Sequence, residues 1–316
     1  MIDVVVVGGG AAGLSAALVL GRSRRRTLVV DGGTPRNAPS PEAHSFFTRD
    51  GTKPAELLRV AREQLAPYDT VELRQGRVTS VRREGVGVGV PFAVRLADGV
   101  EVEARRVLLA VGVRDVLPEV DGFSALWGRG VLHCPYCHGW EVRDEPLALY
   151  ASGSVAMDFA PLLLQWSPDL LLCTGGGGEL TPADRATLIG LGVRIIDTPV
   201  QRLEGDGQLE RIVFADGSVE LRRALFLRPP QVMASDLPQQ LGCEQTETGL
   251  IRVGADQQTS VPDVYAAGDA ATPVQQIVVA AALGAQAAMM MNRDLIRADV
   301  AASDALSAEK VEAATE

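Results

Sequence analysis

Two cysteines separated by two residues carry the most reactive side chains of this 316-residue sequence. Cys134 and Cys137 lie in a segment that reads HCPYCHGWE from His133 to Glu141. Two intervening residues let the sulfur atoms meet, and a thiolate forms near neutral pH when a neighbouring group lowers the pKa of the thiol. We therefore expect thiol–disulfide exchange at this pair.

Two of the three histidines flank the pair. A histidine beside a thiol can accept its proton or, when charged, favour the thiolate. Position favours His138 as this base, although His133 and His138 could also do no more than hydrogen-bond to backbone carbonyls. The third histidine, His44, is expected to be structural or to line a substrate site.

Three other interpretations of the cysteine pair fit the sequence less well. Structural zinc needs four ligands, and the chain has neither a second C-x-x-C nor paired histidines, so no metal site is expected. Cys134-x-x-Cys137-His138 also matches c-type haem attachment, which requires export, whereas the opening MIDVVVVGGG lacks the features of a signal peptide. Two structural buried cysteines are the third interpretation, but Pro135 and Gly139 favour an irregular, exposed segment.

A glycine-rich turn near the first residue predicts a dinucleotide site. Gly8, Gly10 and Gly13 have the G-x-G-x-x-G spacing. They follow the buried, β-branched run Ile2–Val7 and open a predicted helix. The first glycine allows a tight turn, the second lets backbone N–H groups approach a pyrophosphate, and Asp31 can accept from a ribose hydroxyl. A tight turn without a ligand is the alternative.

Two later segments resemble motifs of flavoproteins that have two dinucleotide domains. Leu109–Gly112 is similar to their short A-T-G-like motif, and Thr259–Asp269 is similar to their distal Gly-Asp motif. The resemblance implies FAD as the cofactor, with Asp269 bonding the ribityl chain and the Gln276–Ile277 backbone beside the flavin ring. The FAD contacts expected from all these motifs are Gly8, Gly10, Ala12, Gly13, Asp31, Gly32, Arg36, Asn37, Ala110, Gly112, Gly268, Asp269, Gln276 and Ile277.

A second strand–helix–strand pattern begins at Pro146, with Val155–Trp166 as its helix and Leu170–Cys173 as its second strand. We predict an α/β protein with two Rossmann-like dinucleotide-binding domains, the second inserted into the first. The FAD-binding domain would comprise residues 1–113 and 240–316, and the inserted NAD(P)-binding-like domain, which carries the cysteine pair, residues 114–239. The alanine-rich segment after Asp299 is expected to be loose.

The order of these motifs resembles the thioredoxin reductase family from Val4 to about Met291. The resemblance implies a homodimer, an FAD domain built from both chain ends and a central NADPH domain. It also implies that Cys137 faces the flavin and that Cys134 exchanges with the substrate.

The second nucleotide motif departs from that family. The stretch aligned with its G-x-G-x-x-A reads ASGSVA from Ala151 to Ala156, without the first glycine. Thr174–Glu179 reads TGGGGE where the family carries the arginines that bind the 2′-phosphate of NADPH. The inserted domain is therefore expected to have lost its NADPH site.

The cysteine segment is similar to the C-P-[YF]-C-H-G-[WY]-E of one branch of this family, the FAD-dependent dithiol oxidases of gliotoxin and holomycin biosynthesis. This resemblance implies oxidation of a small-molecule dithiol to an intramolecular disulfide, with O2 as electron acceptor and H2O2 as product. Cys134 would exchange with the substrate, Cys137 would pass the electrons to the flavin, His138 would deprotonate a thiol, and Glu141 would orient the histidine. Two alternatives stay open: a thioredoxin reductase-type enzyme that reduces a protein disulfide with NADPH or another reductant such as ferredoxin, and a flavin-bearing redox sensor without turnover.

Composition restricts the partners further. The net charge of −10 repels a polyphosphate backbone, so no nucleic-acid partner is expected. No stretch of about 20 uncharged apolar residues occurs, so we expect no membrane span and a cytoplasmic protein. Cys173 and Cys243 stand alone in the sequence, too few for a secreted disulfide framework.

Overall fold

The structure is a computed structural model that describes residues 1–85, 87, 89–176 and 179–313, with the backbone alone for residues 305–313. The chain divides into two compact units. Unit 1 comprises Met1–Arg36, Ala55–Arg114 and Val232–Glu316, and unit 2 comprises Asn37–Pro54 and Asp115–Gln231. Unit 2 thus interrupts unit 1 along the chain.

Both units contain strands and helices. In chain order, the first elements are β1 (Ile2–Val7), α1 (Ala11–Arg22), β2 (Thr27–Asp31), α2 (Pro54–Glu63), β3 (Val71–Gln75), β4 (Val78–Arg83), β5 (Phe92–Leu96), β6 (Glu101–Leu109), β7 (Val113–Asp115), α3 (Phe123–Leu126), β8 (Val131–Leu132), α4 (Pro135–His138) and a 3₁₀ helix at Trp140–Val142. They are followed by β9 (Leu147–Tyr150), α5 (Gly153–Leu163), β10 (Leu170–Cys173), α6 (Pro182–Gly190), β11 (Arg194–Ile196), β12 (Val200–Glu204), β13 (Arg211–Phe214), β14 (Val219–Leu221), β15 (Ala224–Leu227), β16 (Gln231–Met233), α7 (Leu237–Gln240), β17 (Val264–Ala266), a 3₁₀ helix at Gly268–Ala270 and α8 (Ile277–Ala313). Consecutive strands occur at β3–β7 and β11–β16.

Unit 1 is built on a seven-stranded sheet with the order β3-β2-β1-β6-β5-β4, in which β17 also pairs with β6. Strand β1 runs parallel to β2 and β6, and its Val4 lies opposite Thr27 and Arg106. Strands β4 and β5 form an antiparallel edge, and β5 is joined to its antiparallel partner β6 through Asp98–Gly99, a dipeptide typical of hairpin turns. The carboxyl ends of β1, β2, β6 and β17 therefore meet along one edge.

Unit 2 is built on a parallel five-stranded sheet with the order β11-β10-β9-β15-β8 and has a separate antiparallel sheet, β12-β13-β14. Strands β9 and β10 with helix α5 form the predicted second strand–helix–strand pattern. Strands β7 and β16, in which the chain passes from one unit to the other, pair with each other.

The boundaries of the units differ from the predicted domains. Residues 37–54 were expected in the first domain but belong to unit 2. There the Ser45 hydroxyl donates to the carbonyl of Tyr136 at 3.2 Å, and Gly128 approaches Pro39 so closely that an added Cβ would lie 3.0 Å from the Pro39 Cβ. Residues 232–239 were expected in the second domain but belong to unit 1, where the N–H of Ala234 donates to Gly112 at 3.2 Å.

In the segment after Asp299 that was expected to be loose, the backbone of α8 continues to Ala313, and residues 300–304 are exposed. Alanine has the highest helix propensity of all residues, and this segment is rich in it. The Asp299 carboxylate also lies 3.1 Å from a guanidinium nitrogen of Arg25 and 2.5 Å from one of Arg105, which attaches the helix to the sheet side of unit 1.

The core of unit 1 lies on both faces of its sheet. Val5 and Val7 pack into one buried cluster, and Val4 and Val6 into another, so β1 is buried on both sides as its continuous β-branched sequence predicts. Helices α1 and α8 cover the second face and approach each other most tightly at Gly284, where an added Cβ would lie 2.0 Å from the carbonyl oxygen of Ala12.

We expect Gly284→Ala to destabilise the protein although alanine is the better helix former. The new methyl group would force α1 and α8 apart, at a cost of about 1–3 kcal/mol, which exceeds the gain of about 1 kcal/mol in helix propensity. Gly190→Ala in α6 is the matched control, because an added Cβ there meets nothing within 4 Å. Urea unfolding of both variants measures the difference. An equal or higher midpoint for Gly284→Ala would contradict the tight helix contact.

Candidate functional site

The glycine turn of unit 1 combines close backbone packing with one open position. An added Cβ at Gly8 (φ +112°) would lie 2.2 Å from the carbonyl oxygen of Ala110, and one at Gly13 would lie 1.9 Å from that of Gly8. At Gly10, by contrast, nothing lies within 4 Å of an added Cβ. Gly10 is the N-cap of α1 and makes no side-chain capping bond. The first turn of α1 thus presents backbone N–H groups at an open surface, which fits the pyrophosphate of a dinucleotide.

Asp31 lies beside this turn at the end of β2. An added Cβ at Gly9 would lie 2.5 Å from the Asp31 carboxyl carbon. One carboxylate oxygen accepts from the N–H of Gly33 at 3.0 Å, and the other pairs with Arg62 at 2.6 Å. A carboxylate has about four lone-pair sites, so both contacts leave capacity for a ribose hydroxyl. That role for Asp31 stays a prediction, as does the role of its exposed neighbour Gly32.

The distal Gly-Asp motif lies against the same end of α1. Gly268 (φ +77°) would place an added Cβ 2.9 Å from the Cβ of Ala12. Asp269 follows at the start of the 3₁₀ helix, and its carboxylate lies 3.1 Å from the Arg36 guanidinium. Arg36 also donates to the side chain of Gln275 at 2.6 Å, a residue that the sequence patterns did not single out. Gln276 and Ile277 come next, at the beginning of α8.

Unit 1 therefore brings together the predicted residues around the first turn of α1. These are Gly8, Gly10, Ala12, Gly13, Asp31, Arg36, Ala110, Gly268 and Asp269. Gly112 (φ +68°) ends the loop after β6, whereas Asn37 belongs to unit 2 and its carbonyl accepts from the N–H of Ser40 at 3.0 Å. Their contacts with a cofactor stay predictions.

The cysteine pair of unit 2 lies on a tight helical turn rather than on the irregular segment that the sequence favours. Cys134 is the N-cap of α4, and its carbonyl accepts from the N–H groups of Cys137 and His138, each at 3.2 Å. Pro135 takes the first helical position, where its missing N–H costs nothing. Gly139 is the C-cap of α4, and a side chain does not fit there, because an added Cβ would lie 2.5 Å from the Pro135 carbonyl oxygen. Both cysteines are half-buried.

His138 follows the second cysteine directly and is half-buried. Its Nε2 lies 3.4 Å from the hydroxyl oxygen of Ser40. Burial, followed by the charge of His44, lowers the pKa of His138 from 6.5 to about 4. At neutral pH the ring is therefore uncharged, and it is a weaker base than an ordinary histidine. His133 instead stacks near Trp127, with ring centroids 5.7 Å apart.

His44 has a carboxylate near each ring nitrogen. Its Nδ1 lies 3.6 Å from Asp50, and its Nε2 lies 3.6 Å from Glu42 and 3.5 Å from Glu141. The expectation that Glu141 orients His138 finds no contact, since Glu141 faces His44. The rings of His44 and His138 are perpendicular, with centroids 6.4 Å apart. Sequence patterns missed this cluster because Glu42, His44 and Asp50 lie about 90 residues before the cysteine segment.

The second nucleotide motif carries a carboxylate where the first carries an open surface. Ser152 is the N-cap of α5, and its hydroxyl donates to Glu179 at 3.3 Å. An added Cβ at Gly153 would lie 2.7 Å from the same carboxylate. The nearby Asp197 accepts from Thr174 at 2.8 Å and is paired by Arg185 at 2.8 Å. Two carboxylates, Glu179 and Asp197, thus lie at this end of the sheet in unit 2.

None of the described helices is long and apolar enough to span a membrane. Within the same part of the chain, no group of three or more His, Cys, Asp or Glu side chains could hold a metal ion.

The family described as pyridine nucleotide-disulphide oxidoreductase matches residues 2–284. The chain belongs to this family. The thioredoxin reductase sirT of Leptosphaeria maculans is 33% identical over 327 aligned residues, which cover 96% of this chain and 98% of that protein. A thioredoxin reductase of Gibberella zeae is 31% identical, and the aligned residues cover 91% of this chain and 96% of that protein. The crystal structure of HlmI has a TM-score of 0.93 at 42% identity and covers 98% of this chain and 97% of that one.

These similarities confirm the predicted fold class, the resemblance to thioredoxin reductase-like proteins and an oxidoreductase activity. They extend along nearly the whole chain, so both units are included in the family's architecture.

We expect His138 to take up a proton only near pH 4, because burial and His44 disfavour its charged form. Since this pKa lies below the ordinary 6.5, the neutral ring stabilises the folded state above pH 6.5, and the contribution is lost as the pH falls towards 4. An NMR titration of the histidine ring signals measures the pKa. His44→Gln should raise it only part of the way, because burial is the larger cause. A midpoint at 6.5 in the wild type would contradict the geometry.

Proposed function

We propose that the protein is an FAD-dependent dithiol oxidase that closes an intramolecular disulfide in a small-molecule dithiol, with O2 as the electron acceptor and H2O2 as the product. The observation that carries the proposal is the Glu179 carboxylate at the start of α5, together with the absence of an arginine from Thr174–Glu179. NADPH would then lack the arginines that bind its 2′-phosphate in the family, whereas both cysteines of the exchange site are present.

FAD would be held by unit 1. The N–H groups of the first turn of α1 fit the pyrophosphate, and Asp31 and Asp269 offer carboxylates for the ribose and ribityl hydroxyls. When bound, FAD supplies two-electron acceptance from the reduced cysteine pair and transfer of those electrons to O2.

The exchange step would use the side chains of the cysteine turn. A substrate thiolate attacks the sulfur of Cys134 in the Cys134–Cys137 disulfide, which forms a mixed disulfide and releases the Cys137 thiolate. The second substrate thiol then attacks the substrate sulfur of the mixed disulfide, which releases Cys134 and the cyclic product. The substrate loses two electrons and two protons, and the cysteine pair gains the electrons. His138 would accept the thiol proton transiently during this step, because its lowered pKa disfavours the charged ring.

A thioredoxin reductase-type reaction is the second candidate, favoured by exposed aromatic rings near the cysteines. Tyr136, between the two cysteines, is 61% exposed, Trp140 is 65% exposed and Phe47 is 80% exposed. An apolar surface of this kind is what a protein disulfide substrate needs for docking. In the oxidase the dithiol reduces the flavin, whereas in the reductase NADPH or another reductant does. The compound that reduces the flavin therefore distinguishes the two candidates.

A homodimer and a cytoplasmic location remain part of the proposal by analogy with the family. They are predictions that depend on the resemblance and not on a contact within this chain.

We expect a small dithiol to reduce the bound flavin far faster than NADPH does. Two contacts between arginines and the 2′-phosphate of NADPH, each worth about 1.5–3 kcal/mol, are absent. Compared with an enzyme that has them, the affinity for NADPH is therefore expected to be lower by a factor of roughly a hundred to ten thousand. Stopped-flow spectroscopy without oxygen measures both rates, and an oxygen electrode and a peroxide assay measure turnover.

The Cys134→Ser/Cys137→Ser double variant is the control for this comparison. It should no longer respond to dithiols, while any direct reduction of the flavin by NADPH would persist. Rapid, saturable bleaching of the wild-type flavin by micromolar NADPH would overturn the oxidase proposal and favour the reductase.

We expect the two single cysteine variants to differ in their spectra. Cys134→Ser leaves the Cys137 thiolate as the cysteine that interacts with oxidised flavin, so a long-wavelength absorption band should form, whereas Cys137→Ser should lack the band. Both variants should bind FAD and fail to oxidise a dithiol. The reverse spectra would show that the roles of the two cysteines are exchanged.

A further inference from the structure

The hydroxyl group of Ser40 has two polar neighbours and one proton. Its oxygen lies 2.7 Å from the carbonyl oxygen of Glu42 and 3.4 Å from Nε2 of His138. A carbonyl oxygen can only accept, so the serine proton points at Glu42. The hydroxyl oxygen is then left as an acceptor towards His138, and Nε2 of the imidazole has to be the nitrogen that carries hydrogen.

We propose that Ser40 is a positioning residue that holds His138 in the Nε2–H tautomer, which leaves Nδ1 as the nitrogen that accepts the thiol proton. The second half of this statement rests on the proposed function, because it takes the proton source to be a substrate or cysteine thiol. The first half is a statement about the resting protein and can be tested without turnover.

The backbone around Ser40 is restrained, which suits a positioning role. Ser40 lies between Pro39 and Pro41, whose rings fix their own φ and restrict the residue before each of them. Gly128 packs against this segment, since an added Cβ would lie 3.2 Å from the Ser40 backbone nitrogen. The backbone that carries the hydroxyl is therefore restrained, and the bond to the Glu42 carbonyl restrains the side chain itself.

No carboxylate competes with Ser40 for His138 among the residues that the structure describes. The acidic side chains of this region, Glu42, Asp50 and Glu141, all lie within 3.6 Å of His44 instead. A carboxylate at Nε2 would favour the charged ring, whereas a hydroxyl acceptor fixes the tautomer and keeps the ring neutral. The weak acceptor thus agrees with the lowered pKa of His138.

The sequence has three histidines, so the ring signals of the protein are few enough to resolve and assign individually. The holoenzyme labelled with ¹⁵N-histidine should give three sets of ring signals at pH 7, and His138→Asn assigns one of them. We expect a protonated, pyrrole-type Nε2 and a pyridine-type Nδ1 for His138. In Ser40→Ala the two nitrogen signals should move towards each other as the other tautomer becomes populated, whereas Ser40→Thr should keep the wild-type pattern.

Ser45→Ala is the matched control, since Ser45 bonds the same cysteine segment through the Tyr136 carbonyl and not through His138. Ser40→Ala should slow the reduction of the flavin by a dithiol about five-fold, the effect of one lost hydrogen bond. Ser40→Thr should restore the rate, and Ser45→Ala should leave both the tautomer and the rate unchanged.

Three results would overturn the inference: an Nδ1–H tautomer in the wild type, unchanged nitrogen signals in Ser40→Ala, or an equal loss of rate in Ser45→Ala. These outcomes are distinct from failure of the proposed function. A wild type that has the expected tautomer but does not react with dithiols would overturn the oxidase proposal and the role of Nδ1, while the positioning of His138 by Ser40 would stand.

Discussion

Close backbone packing around the first turn of α1 is the constraint on which the candidate cofactor site depends. Added Cβ atoms at Gly8, Gly268 and Gly284 would lie 2.2, 2.9 and 2.0 Å from atoms of Ala110 or Ala12. Three segments from distant parts of the sequence therefore converge on one helix start, and each needs a residue without a side chain. At Gly10, by contrast, nothing lies within 4 Å of an added Cβ, and this open position leaves the N–H groups of the turn accessible to a phosphate.

Local sequence signals were sufficient to predict much of this arrangement. The spacing of Gly8, Gly10 and Gly13 after a β-branched run predicts a strand, a turn and a helix, because each of these depends on neighbouring residues. The hairpin turn at Asp98–Gly99 is local in the same sense, since Gly99 adopts a φ of +87° that glycine tolerates. The second strand–helix–strand pattern also followed from alternating local signals.

Contacts between distant segments were not predictable in this way. Nothing in the composition of residues 37–54 says that Ser45 bonds the Tyr136 carbonyl or that Pro39 packs on Gly128, and these contacts place the segment in unit 2. Glu141 illustrates the same limit, since it lies three residues from His138 in sequence yet faces His44 at 3.5 Å. The direction in which the turn points the Glu141 side chain, and not its distance along the sequence, determines which histidine it contacts.

The two Rossmann-like units differ in what meets the first turn of the helix in their strand–helix–strand pattern. In α1 the position is open, whereas in α5 the Glu179 carboxylate lies against Ser152 and Gly153. A negative side chain at a helix N-terminus interacts favourably with the helix dipole, so Glu179 does for α5 part of what a phosphate would do. The fold of unit 2 can then stay stable without a dinucleotide. An incoming phosphate would have to displace this carboxylate and bear its repulsion, with no arginine in the adjoining loop to compensate.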